Sequence, residues 1–133
     1  MDQRELVANT IRHIQEEMRR YPGTGYFAIF HLDDEKNYYV QFSLTDDKAV
    51  IWAEAVSNEY LEPKHALSVE KINKLEALGW KSPDEGGSPN FYREWQANTE
   101  EDISKISYIA AKTFNEIYGI SPDHSIKVEI VQD

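Results

Sequence analysis

The chain has no cysteine. Disulfides, thiolate metal sites and cysteine nucleophiles are thereby excluded together. No apolar run approaches the ~20 residues of a membrane span. The opening stretch, MDQRELVANTIRHIQEEMRR, carries helical charge patterning instead of the uninterrupted apolar core of a signal peptide. Neither Asn-x-Ser nor Asn-x-Thr occurs, so nothing points to secretion, and a cytoplasmic home is expected. Positive charge is scarce: 14 Lys and Arg stand against 24 Asp and Glu, a formal net charge of −10. Such a molecule repels phosphate backbones and anionic lipid, which argues against nucleic acid and membrane surfaces. The acidity serves solubility, or it selects a basic protein partner.

What is present suits a folded domain. With 133 residues, of which 41% are apolar and 12% aromatic, the chain is expected to form a single α+β domain over 1–133. The stretch 49–95 organises it and holds all three tryptophans, Trp52, Trp80 and Trp95.

Along the chain, Val7, Ile11, Ile14, Met18 and Tyr21 recur four and three residues apart, which predicts a helix over 2–21 with one apolar stripe. Pro22 and Gly23 end it. His13 lies beside the stripe and reads as a surface residue. Residues 25–32 (GYFAIFHL) are too short and too aromatic for another helix and read as a strand. A polar connection, 33–37, leads to strand 38–44, whose Tyr38, Val40, Phe42 and Leu44 alternate with Tyr39, Gln41 and Ser43. After a second turn, 49–56 completes an antiparallel meander. Ser68 is positioned to cap a short helix carrying Val69, Ile72, Leu75 and Leu78, closed by Gly79 in the left-handed conformation with Trp80 folded against the last turn. The loop 82–89 (SPDEGGSP) is the most flexible segment by composition. It delivers a strand in which Phe91, Arg93 and Trp95 oppose Tyr92 and Glu94. Thr99 caps a last helix with the stripe Ile103, Ile106, Ala110, Phe114 and Ile117, ended by Gly119. Ile126, Val128 and Ile130 then alternate as a C-terminal strand whose last residues are expected to fray. The order is α-β-β-β-α-β-α-β, two layers, helices on one face of an antiparallel sheet.

The first and third strands carry apolar residues on both faces: Phe27 and Ile29 against Tyr26, Ala28 and Phe30, and Ile51 with Ala53 against Val50 with Trp52. Helices cover one face of a two-layer domain. The surplus must meet a further layer, a second subunit or a ligand.

Chemistry-bearing patterns are absent. His13, His31, His65 and His124 fall in four separate elements without metal-ligand spacing. His31 with Asp33, Asp34 and Glu35 is the densest ligand-like cluster, and it reads as an acidic hairpin turn. The Gly-x-Gly of 23–25 lacks the lysine that grips a phosphate and precedes a strand, so it is a turn. No nucleophile elbow occurs. Glu54 and Glu59 could pair as acid and base only if the fold brought them together. No cofactor or metal is expected, and the chain reads as a non-enzyme.

Taken as a set, AVSNEYL at 55–61, Leu67 with Ser68, LEALGW at 75–80 with Pro83, Pro89-Asn90-Phe91, and the helix end Ile117-Tyr118-Gly119-Ile120 resemble the TY-Chap family, which groups proteins similar to type III secretion chaperones and the YbjN proteins. The resemblance runs from about Gly25 onward. It implies an α+β fold of a helix and three strands followed by alternating helices and strands, and a chaperone-like binding role without catalysis. Secretion chaperones of this shape usually end in a helix, whereas this chain reads as ending in a strand.

The leading functional expectation is a small adaptor or chaperone-like protein, a homodimer, holding a segment of another polypeptide on an apolar surface. Its candidate contacts are Phe27, Ile29, Tyr39, Trp52, Phe91, Tyr92 and Trp95, each in competition with core packing, which is the expected fate of Trp52 and Trp95. Two alternatives of other classes stand beside it. One is an acidic, immunity-type inhibitor that blocks a basic site on another protein, which requires its charge to cluster around a cleft. The other is an enzyme on the same scaffold, which requires a pocket lined by carboxylates or a histidine.

Overall fold

The computed structural model of the chain describes residues 2–84 and 87–133. The first element, α1 (Gln3–Arg20), starts where the Asp2 side chain accepts the Glu5 amide, and it buries Val7, Ile11, Ile14 and Met18. Tyr21 leaves the expected stripe. Its backbone has already departed from helical angles ahead of Pro22, and the ring stands 53% exposed.

Five strands follow the expected order: β1 (Tyr26–Asp33), β2 (Tyr38–Leu44), β3 (Val50–Ala55), β4 (Phe91–Gln96) and β5 (Lys127–Gln132). They form one antiparallel sheet in the spatial order β4-β3-β2-β1-β5. Between β3 and β4 lies α2 (Val69–Ala77), and between β4 and β5 lies α3 (Glu100–Lys112). The pairing of the terminal strand with β1 extends to Gln132 opposite Tyr26, and the Asp133 amide donates to the Gly25 carbonyl.

Local chemistry explains the helix ends. Ser68 accepts the Lys71 amide at the start of α2. At the other end the Gly79 amide donates to Glu76 and the Trp80 amide to Leu75, both at 3.0 Å, with Gly79 at φ +101°. This double closure is the Schellman geometry, and it turns Trp80 back into the core. Thr99 and Asp102 exchange backbone and side-chain hydrogen bonds as a capping box on α3. The expected regular helix through Ile117 does not persist. The Thr113 hydroxyl donates back to the Ile109 carbonyl, and Thr113–Ile117 widens into a π-turn in which the Tyr118 amide reaches the Thr113 carbonyl. The stripe itself survives, with Ile103, Ile106, Ala110, Phe114 and Ile117 all buried.

The core fills the space between the helices and one sheet face. Tyr26, Ala28 and Phe30 of β1, Val40, Phe42 and Leu44 of β2, Ile51, Ala53 and Ala55 of β3, and Phe91 and Trp95 of β4 share that face. Rings interlock through it: Phe30 meets Phe42 at 5.0 Å, Phe42 meets Trp95 at 5.6 Å and Trp95 meets Trp80 at 5.7 Å between centroids. Since side chains alternate along a strand, the same register assigns every other residue to the opposite face, which the helices do not cover.

The centre of the 82–89 loop, residues 85 and 86, lies outside the described residues. No helix among the described residues is long and apolar enough to cross a membrane.

Candidate functional site

The uncovered face is built by pairing. Across the sheet from β4 to β5, one row reads Glu94, Trp52, Ser43, Phe27 and Val131, and the next reads Tyr92, Glu54, Gln41, Ile29 and Glu129. Tyr39 and His31 pair in a third row, with Lys127 beyond them. Of the seven candidate contacts, Phe27, Ile29, Tyr39, Trp52 and Tyr92 thus share this face. The other two, Phe91 and Trp95, point into the helix-covered core at 3% and 8% exposure. They are not available as surface contacts, because the alternation that turns Tyr92 outward turns them inward. Trp52 departs from expectation in the other sense. It is on the surface, 38% exposed, since β3 presents Ile51 and Ala53 to the helices and Trp52 to the far side.

Trp52 and Tyr92 are diagonal neighbours whose rings stack at 5.3 Å with planes 20° apart. A polar frame fixes them. Glu54 accepts from Trp52 Nε1 at 3.2 Å, from Ser88 Oγ at 2.9 Å and from Asn90 Nδ2 at 3.3 Å. The same Asn90 amide nitrogen donates to the Tyr39 hydroxyl at 3.2 Å, and its carbonyl oxygen accepts the Ser57 amide. Asn90, itself buried, therefore positions two aromatic residues of the face, Tyr39 directly and Trp52 through Glu54. Tyr92 is held from the edge: its hydroxyl donates to Asp84 at 2.6 Å, which raises its pKa, and its backbone amide and carbonyl exchange hydrogen bonds with Lys81. Desolvation raises the Tyr39 pKa, with the Asn90 contact opposing it.

Carboxylates outnumber cations around the face. Glu54, Glu94, Glu129 and, bound to Tyr92, Asp84 stand against Lys127, Lys81, whose ammonium lies 5.9 Å from the Tyr92 ring centroid, and His31, which is engaged by Glu129 at 2.9 Å and Asp34 at 3.4 Å. His31 thus links β1 to β5 through Glu129, and of the acidic turn beside it Asp34 faces the imidazole while Asp33 accepts the Lys36 amide. Glu59 sits in an exposed 3₁₀ turn after β3, whereas Glu54 is committed to the frame just described. An open cleft of about 490 Å³ beside His31, Asp33, His124 and Lys127 lies toward the β1–β5 edge of the sheet, away from the β4 edge beside Trp52.

Residues 9–130 match the model of the TY-Chap3 family, described as T3SS (YopN, CesT) and YbjN peptide-binding chaperone 3. The chain belongs to that family. No match is found among curated proteins or among solved structures. Membership makes this TY-Chap3 chain a peptide-binding, chaperone-like domain in the broad sense.

The segments that carried the resemblance play identifiable parts in this TY-Chap3 fold. The Leu-Gly-Trp run closes α2 and sends Trp80 into the core. The Ser-Asn of 57–58 and the Pro-Asn-Phe of 89–91 bind each other, through Ser57 Oγ to the Pro89 carbonyl and the Ser57 amide to Asn90, and so join the ends of β3 and β4. The Tyr118 hydroxyl donates to the Val56 carbonyl beside them. Reading the sequence missed Glu54, Ser88, Asn90 and Glu94 as parts of the face. Glu54 and Glu94 were legible by strand alternation, while the contacts of Ser88 and Asn90 depend on how the loop returns to the sheet.

Proposed function

We propose that the chain is one non-catalytic domain, 1–133, which holds an extended segment of another polypeptide on the uncovered sheet face, on its β4 side. The observation that carries this reading is the gathering of Phe27, Ile29, Tyr39, Trp52 and Tyr92 on one face that no helix among the described residues covers, with the largest of them solvent-exposed. Apolar area there, at ~25 cal/mol per Å² removed from water, supplies affinity, and the surrounding carboxylates select the partner. A cytoplasmic location and a homodimeric state complete the proposal. Two copies joined edge to edge would present a continuous double-width face.

The reading is tested by capture on an array of unstructured peptides, with the wild type compared to a Trp52→Ser, Phe27→Ser double variant whose far-ultraviolet circular dichroism matches wild type. Retention of a subset of peptides by the wild type alone is expected. Equal retention by both proteins, or none by either, removes the face as the binding surface.

A further inference from the structure

We propose that the Trp52 end of this face is a subsite for an arginine side chain, so that the segment it takes is a basic one. The inference rests on the peptide-binding reading above and specifies the chemistry of its partner. Glu94 lies directly across from Trp52 on the neighbouring strand. The Ala97 amide donates to the Ala49 carbonyl, so in this register Trp52 and Glu94 form one of the non-hydrogen-bonded pairs, in which side chains come closest. Glu94 is exposed and has no ion-pair partner among the described residues. An aromatic plane and an uncompensated carboxylate side by side are what a flat cation needs: Tyr92 stacks on one face of the partly exposed indole, the other face meets the guanidinium, and the carboxylate accepts two of its N–H groups. Donation from Trp52 Nε1 to Glu54 makes the ring richer in electrons and a better cation acceptor. The fold already employs the cation–ring half of this arrangement on its other face, where the Arg93 guanidinium lies 4.3 Å from the Trp95 ring centroid and donates to the Leu78 carbonyl.

The backbone leaves a route for the segment. The alternation that turns Phe91, Arg93 and Trp95 toward β3 for hydrogen bonding turns the N–H and C=O groups of Tyr92, Glu94 and Gln96 to the outer edge. Lys81 takes those of Tyr92. Among the described residues no such bond engages Glu94 or Gln96 on this edge, which leaves them for an incoming strand that would place one of its side chains about 4.8 Å from Glu94 on the uncovered face. An arginine there spans Glu94 and reaches the indole.

The experiment uses three synthetic peptides of alternating threonine and valine, identical but for a central arginine, citrulline or lysine, titrated into the full chain while the Trp52 indole N–H is followed by NMR. Trp52→Phe identifies that resonance. The arginine peptide is expected to shift it saturably and to bind about tenfold tighter than the citrulline peptide, an advantage that added salt and Glu94→Gln both abolish. Equal binding of the arginine and citrulline peptides, both shifting Trp52, overturns the cation subsite and leaves the peptide-binding face standing. A lysine peptide as tight as the arginine one, or an arginine advantage that survives Glu94→Gln, overturns the guanidinium assignment. Silence of Trp52 toward all three overturns the subsite and the face together.

Discussion

The indole of Trp80 donates from Nε1 to the hydroxyl of Thr113 at 3.1 Å inside the core. This one bond ties the residue just past α2 to the first residue of the π-turn after α3. Thr113 can accept because its own hydrogen goes to the Ile109 carbonyl, the contact that accompanies the widening of the helix. Thr113→Val keeps the shape and removes the acceptor, which leaves a buried indole N–H without a partner. The expected loss is about 1–3 kcal/mol. Urea unfolding measures it, and an unchanged midpoint would mean that the bond carries no net stability.

Gly79 and Gly119 both adopt positive φ, at +101° and +70°, so alanine strains the backbone at either position by about 1 kcal/mol. They differ in surroundings. A Cβ at Gly79 would lie 2.7 Å from Arg93 Nη1, whereas nothing is within 4 Å of one at Gly119. Arg93 has little freedom to yield, since Nη1 donates to the Leu78 carbonyl at 2.7 Å and the guanidinium lies over Trp95. Gly79→Ala is therefore expected to destabilise more than Gly119→Ala, and the excess should shrink in a background of Arg93→Lys. Thermal unfolding of the four variants closes that cycle.

Stability should fall on the alkaline side. Burial, with the neighbouring Tyr39 and Tyr38 adding to it, holds the Tyr118 phenol well above its ordinary value of 10.0, and desolvation also raises Tyr38 and Tyr39. The folded state keeps these protons where the unfolded chain releases them. Their contribution is therefore complete below the unfolded pKa and is lost as pH rises from there toward the folded value, at up to about 1.4 kcal/mol per pH unit for one fully buried phenol. Tyr118→Phe should lower stability at neutral pH by about 1 kcal/mol, through the lost bond to Val56, and should flatten the alkaline limb. Denaturant midpoints between pH 8 and 11 test both statements, and parallel limbs for the two proteins would sink the second.

The two tryptophans expected in the core should separate cleanly. Trp95 packs against Phe42 and Trp80, so Trp95→Ala should cost about 3–5 kcal/mol. Trp52→Ala forfeits a stacked surface pair and should cost about 1 kcal/mol while abolishing peptide capture. A Trp52 variant as unstable as the Trp95 variant would make Trp52 a structural residue.

Much of this architecture was readable from periodicity. The alternation of Tyr38 to Leu44 set β2 to the residue, and the same period separated Tyr92 from Phe91 and Trp95. Period alone does not say which face the helices cover. Ile51 and Ala53 are buried because they pair with Trp95, Arg93 and Phe42 on the inner side, a fact of register between distant strands, and this is why Trp52 defied the expectation of burial. Tyr21 fell outside the helical stripe because Pro22 acts on the residue before it. The hold of Asn90 on Tyr39 spans 51 residues of sequence and had no local signal.

The outer edge of β5 carries the last prediction. The Asp133 amide bonds to Gly25, so Lys127, Glu129 and Val131 direct their backbone groups to β1, and Val128, Ile130 and Gln132 direct theirs outward. Ile130 and Val131 remain 41% and 39% exposed on this strand, which has no partner on its outer side among the described residues. Such an edge invites pairing with a like edge. An antiparallel pairing of two copies centred on Ile130 sets Ile130 against itself, Glu129 beside Val131, and Lys127 opposite Asp133, so that one apolar and two charge-matched contacts arise from a single two-fold. Ile130→Lys would place two ammonium groups face to face at that centre. Analytical ultracentrifugation should then show the wild type at twice its 15.4 kDa mass and the variant at 15.4 kDa, with Trp52 binding unchanged in both. A wild type that sediments as a monomer at high concentration, or an Ile130→Lys protein that remains a dimer, would remove β5 as the seam.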